Sequence, residues 1–166
     1  MPAQRDVDRD LFQNIGYLIR RTHQIADAIF DREMRELSLT PVQYGILIAV
    51  FSYEGIDQLQ LGQVIGFDRT TISYVVRKLA AKGLIRKFKE TGDRRSNLLA
   101  LTQQGHALLA EARPIAAACS AMMLEELSAE EQATLLSLLD KIVYAHDAQA
   151  TLPRITSNRR AALAGG

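Results

Sequence analysis

Apolar residues recur at three- and four-residue steps through Leu11, Ile15, Leu18, Ile19, Thr22, Ile25, Ala26 and Ile29, which predicts a long amphipathic helix over about 8–37. Thr40-Pro41 then offers an N-cap followed by a proline at the first helical position. The helix they open runs through Tyr44, Leu47, Ile48 and Phe51 and stops at Gly55. A short helix over about 58–65 carries Leu59, Leu61, Val64 and Ile65, and Gly66-Phe67 turns the chain. Asp68 caps the next helix, where Ile72, Val75, Val76, Leu79 and Ala80 form one core-facing stripe before Lys82-Gly83 closes it.

From Leu84 the apolar period drops from helical to alternating. Leu84–Lys89 reads as a strand, Glu90–Asn97 as a polar loop and Leu98–Leu101 as the returning strand. Thr102 caps a fifth helix over about 103–123, which Pro114 is expected to interrupt. Ser128 and Glu131 make a capping box for a sixth helix reaching about His146, with Leu135, Leu138, Leu139, Ile142 and Val143 as its stripe. Residues 148–166 lose periodicity and read as a tail. The predicted fold is mainly α: six helices with a small β-hairpin wing, in the order of a winged helix-turn-helix.

Charge adds to this picture through its position. The net charge is only +1, but residues 66–98 hold nine cations against three anions, while the rest of the chain holds eleven against sixteen. A positive balance gathered in one fifth of the chain suggests a polyanionic partner there, the alternative being a solvated charged face. Opposite the core stripe of the fourth helix stand Thr70, Ser73, Tyr74 and Arg77, with Arg69 and Thr71 at its first turn. Hydroxyls and an arginine suit the base edges of a DNA major groove, and the first-turn amides are placed to hold a phosphate. In the hairpin loop, Arg94 and Arg95 can reach a narrow minor groove, and Asp93 can hold the Arg95 fork in place.

Asp68–Leu79 followed by Lys82-Gly83-Leu84-Ile85 resembles the recognition helix and first strand of MarR-type transcriptional regulators. Asp93-Arg94-Arg95 with the later Leu101-Thr102 is similar to that family's wing signature, and the likeness spans about residues 10–147. The resemblance implies an obligate homodimer joined by its first and last helices, a pseudo-palindromic double-stranded operator, and repression relieved by a small, often aromatic, anion. It divides the chain into one domain over 1–147, with a DNA-binding lobe at about 40–102 and dimerisation helices at about 8–37 and 103–147. Asp93 and Arg95 match the wing pair, and Arg94 is the extra cation beside it. Thr70, Thr71, Ser73 and Arg77 fall where the family touches bases and phosphates, while Tyr74 stands where many members have arginine. The dimer also follows from burial: neither end helix can cover its apolar stripe on a core this small except against a second copy.

The effector is expected to be an aromatic carboxylate. Tyr17, Arg20 and His23 at i, i+3 and i+6 of the first helix, with Tyr44 and Phe51 on the second, combine cation, donor and rings for such a ligand; Arg21 is a neighbouring alternative, and structural bonding across a dimer is the other reading. Cys119 lies on a small-residue helix face and reads as a packing cysteine, with a redox-responsive regulator as the alternative. His23, His106 and His146 share no ligand spacing, so no metal or other cofactor is expected. A phosphate loop, nucleophile elbow and zinc-protease motif are missing, which argues against an enzyme. The remaining alternative is a winged-helix protein-interaction module without operator binding. The charged N-terminal segment and the lack of an apolar run point to a cytoplasmic protein with no membrane association.

Overall fold

The computed structural model describes residues 12–53, 55–89 and 98–147. Its elements are α1 (Ile15–Glu33), α2 (Pro41–Ser52), β1 (Ile56–Asp57), α3 (Gln58–Ile65), α4 (Arg69–Ala81), β2 (Ile85–Phe88), β3 (Leu98–Leu101), α5 (Gln103–Met123) and α6 (Ala129–Asp147). Among the described residues, six helices accompany a small antiparallel sheet of strand order β1-β3-β2, with Ile56 opposite Leu99 and Ile85 opposite Leu101. Both expected hairpin strands are present. The loop 90–97, with Asp93, Arg94 and Arg95, lies outside the described residues, as does the predicted tail over 148–166.

The helices start where side-chain oxygens satisfy their first amides. Thr40 and Gln43 form a reciprocal capping box at α2, Asp57 and Gln60 form another at α3, and Ser128 and Glu131 bond reciprocally at the start of α6. α1 is shorter than the expected 8–37. Asn14 Oδ1 accepts the Tyr17 amide at 3.1 Å and sets its start, and the helix ends at Glu33, before fully buried Met34. α2 ends at Ser52 rather than Gly55, which instead takes a positive φ of 74° in the turn. Pro114 does not interrupt α5, which continues through it to Met123.

The core sits where α2–α5 meet the sheet. Ile46, Leu47, Leu61, Ile72, Val76, Leu79, Leu99 and Leu109 are its buried centre. Gly66, at φ 72°, ends α3 in the left-handed conformation that lets α4 fold back across it. At Gly105 a Cβ would stand 2.1 Å from the Leu84 carbonyl oxygen, so α5 approaches the start of β2 as only glycine permits.

α1 and α6 stand apart from this core. α1 packs along α5 but buries none of its own side chains completely, and on α6 no described side chain is buried. Ile15, Leu18, Ile19 and Ile25 on α1, and Leu136, Leu138, Leu139, Ile142 and Val143 on α6, remain exposed. Among the described residues, no helix is long and apolar enough to cross a membrane.

Candidate nucleic-acid interface and effector cavity

α4 is fixed by its two ends. At its start, Asp68 Oδ1 accepts the amides of Thr70 (2.8 Å) and Thr71 (3.0 Å), and Oδ2 accepts the Thr71 hydroxyl at 2.7 Å. The Thr71 hydroxyl, then the amides, hold the Asp68 carboxyl below its ordinary value. Two of the first-turn amides expected to hold a phosphate are thus already satisfied by a carboxylate of the same chain. The Thr71 hydroxyl proton is likewise committed to the cap. At the other end, Lys82 Nζ donates to the Ser38 carbonyl at 3.3 Å, tying α4 to the α1–α2 connection.

Between these ends Ile72, Val76 and Leu79 face the core. The opposite face holds Arg69, Thr70, Thr71, Ser73, Tyr74 and Arg77 around one shallow concave surface of about 590 Å³. All six α4 residues singled out from the sequence therefore share one surface. Lys78, which the sequence reading left out of the site, brings its Nζ to 4.6 Å from the centre of the Tyr74 ring. Its position one turn after Tyr74 was the available signal. On β2, the Arg86 guanidinium lies 5.0 Å over the Phe88 ring.

The expected ligand residues do not assemble within one chain. Tyr17 and Arg20 contact each other, with the guanidinium 5.5 Å from the ring centre, and His23 Nε2 faces Asp27 Oδ2 at 3.4 Å. Tyr44 instead pairs with Phe30, ring centres 5.6 Å apart. Phe30 lies ten residues beyond Arg20 on α1, roughly 15 Å along the axis. Together Phe30 and Tyr44 line a cavity of about 210 Å³ with Ala26, Ala116, Cys119, Ser120 and Met123. Near it, Arg113 holds its guanidinium 4.2 Å over the exposed Phe51 ring and acts electrostatically on Tyr44. No carboxylate pairs with Arg113 among the described residues.

Burial raises the Tyr44 hydroxyl above its ordinary pKa, against the lowering effect of Arg113, so it is a proton donor near neutrality. Burial, then the Glu33 carboxylate, also pushes the Cys119 thiol up, which works against a reactive thiolate. The sequence reading missed Arg113 and the α5 wall of this cavity. Arg113 sits at the edge of a run of small residues, and only the antiparallel passage of α5 along α2 reveals what it faces.

Residues 39–96 match the model of the MarR family. Over 134 residues, 81% of this chain and 85% of the relative, the sequence is 31% identical to the HTH-type transcriptional repressor NicR of Pseudomonas putida. The chain belongs to the MarR family. This MarR-family chain is a transcriptional regulator and not an enzyme. Its fold is similar to CouR, a transcriptional repressor solved on a 23-mer DNA duplex, at a TM-score of 0.78 and 27% identity over 82% of this chain and 96% of CouR. It also resembles Bordetella bronchiseptica BpsR, whose DNA binding is regulated by 6-hydroxynicotinic acid, at a TM-score of 0.73 and 28% identity over 77% and 97% of the two chains.

Proposed function

We propose that this MarR-family regulator is a homodimeric repressor that binds a pseudo-palindromic operator and is released by a small aromatic acid. The observation that carries the operator reading is the polar face of α4, concave and exposed opposite a fully apolar core stripe. Arg69, Thr70, Ser73, Tyr74 and Arg77 read the major groove, with Thr71 supporting the helix start. Asp93, Arg94 and Arg95 of the wing engage the neighbouring minor groove. NicR, named as a repressor, and CouR, solved on DNA, support this reading. Arg77→Ala or Arg95→Ala is expected to weaken operator binding by about 1–3 kcal/mol, read by fluorescence anisotropy at fixed salt. A folded Arg95→Ala protein with unchanged affinity removes the wing from the interface.

The effector reading rests on the Tyr44 cavity. Its 210 Å³ is below the roughly 300–1,000 Å³ of drug-sized sites and suits a single ring. Phe30 and Tyr44 wall the ring, and the Tyr44 hydroxyl and Arg113 supply the donor and cation a carboxylate needs. The regulation of BpsR by a heteroaromatic acid favours the same ligand class. Tyr17, Arg20 and His23 form the competing site, on an α1 surface whose apolar neighbours await a partner. Calorimetry with a panel of benzoate- and nicotinate-type acids separates the two. Arg113→Gln is expected to lower affinity at least tenfold, and Arg20→Ala and His23→Ala little; the reverse order assigns the effector to α1.

A further inference from the structure

On the outward face of α4, Tyr74 is the one large apolar surface among polar neighbours. It is 50% exposed, with Thr70 one turn before it, Ser73 beside it and Arg77 and Lys78 one turn after. The Lys78 ammonium stands 4.6 Å from its ring centre. The ammonium lies over the ring, and half of the residue remains exposed to solvent. Helical side chains lean toward the helix N-terminus, and it is the N-terminal part of a recognition helix that meets base edges. An aromatic edge delivered there loses its water when DNA binds. Of the four bases, only thymine offers a major-groove group that compensates an apolar edge, its 5-methyl.

We propose that Tyr74, braced by Lys78, reads the 5-methyl group of one thymine in each operator half-site. This rests on the operator reading above and adds to it the base class that an aromatic residue at this position selects. Lys78, stacked rather than pointing into the groove, contributes charge to the phosphate backbone and no sequence preference. Two kinds of contact thus sit on adjacent turns of one helix and separate experimentally.

The test uses the full-length protein and the duplex it selects from a randomised library. Each thymine is then replaced in turn by uracil, which removes the methyl group and nothing else. One position per half-site is expected to lose about fourfold in affinity, the equivalent of roughly 0.8 kcal/mol for one buried carbon. Tyr74→Ser is expected to bind the thymine and uracil duplexes equally, while Tyr74→Phe keeps the discrimination. Lys78→Ala is expected to keep it too, with a shallower salt dependence. Wild-type protein indifferent to uracil at every position overturns the inference, as does a Tyr74→Ser protein that still discriminates. A loss in Tyr74→Phe without uracil sensitivity assigns the hydroxyl to a phosphate and overturns it as well. Selection of no sequence at all overturns the operator reading itself, and this inference with it. Circular dichroism confirms that each variant is folded, as expected for substitutions at exposed positions.

Discussion

The Asp68 carboxylate ends one helix-turn-helix connection and begins the surface offered to DNA, so its charge matters twice. Its two amide bonds and the Thr71 hydroxyl stabilise the ionised form, which places its folded pKa below the ordinary value of 3.8. A depressed folded pKa means that the unfolded chain binds the proton more readily. The stabilisation is therefore present above the unfolded value and lost as pH falls through the folded one. Asp68→Asn keeps a good cap oxygen but removes the titration. The stability difference between wild type and Asp68→Asn is expected to stay constant from about pH 8 to 5 and to change only below about pH 4, measured by urea unfolding. A difference that drifts across neutral pH contradicts the assignment. Position 68 was legible as a cap because aspartate follows a glycine turn and precedes an apolar stripe. The Thr71 side-chain bond was not, since threonine there equally suits a groove contact.

At the scale of elements, helix starts were readable at Thr40, Thr102 and Ser128, where a short polar side chain precedes a periodic run. The start at Asn14 was not, since Asn14 stands inside the apolar stripe that begins at Leu11. Elements whose cause lies elsewhere in the fold were not. β1 is two residues long, too short for an alternating pattern, and exists because Ile56 pairs with Leu99 on a strand more than forty residues away. The first helix was expected to run to about 37 but ends at Glu33, and fully buried Met34 packs as core just beyond it. Thr102 shows how a cap can also join elements. Its Oγ1 accepts the Gly105 amide at 3.0 Å while donating to the Gly83 carbonyl at 2.6 Å, so one hydroxyl links the end of α4 to the start of α5. Thr102→Ala is expected to cost about 1–2 kcal/mol, the upper part of the N-cap range, since a second bond goes with the cap. Thermal unfolding reads the loss, and Thr102→Ser is expected to restore most of it.

At the scale of the whole molecule, the apolar surface is divided unevenly. The α2–α5 core closes on itself, yet α1 and α6 leave Ile15, Leu18, Ile19, Leu138, Leu139 and Ile142 each more than 40% exposed. Soluble monomers rarely expose contiguous apolar patches beyond a few hundred Å², and a stable dimer covers about 800 Å² on each partner. Two long helices from opposite ends of the chain, both with uncovered stripes, suit a two-fold interface in which each copy supplies the same pair. Such an interface also sets the distance between the two α4 helices, so association and operator reading are coupled. Ile142→Asp places a charge on the α6 stripe, outside the α4 surface. Wild type is expected to sediment as a dimer at micromolar concentration and Ile142→Asp as a monomer. The variant's α2–α5 core is expected to stay folded, because none of its buried residues lies on α6. Its operator affinity is expected to fall by more than tenfold although every α4 side chain is intact, because one half-site then binds without the other. A monomeric wild type, or a dimeric Ile142→Asp with full affinity, would show that α6 does not carry the interface.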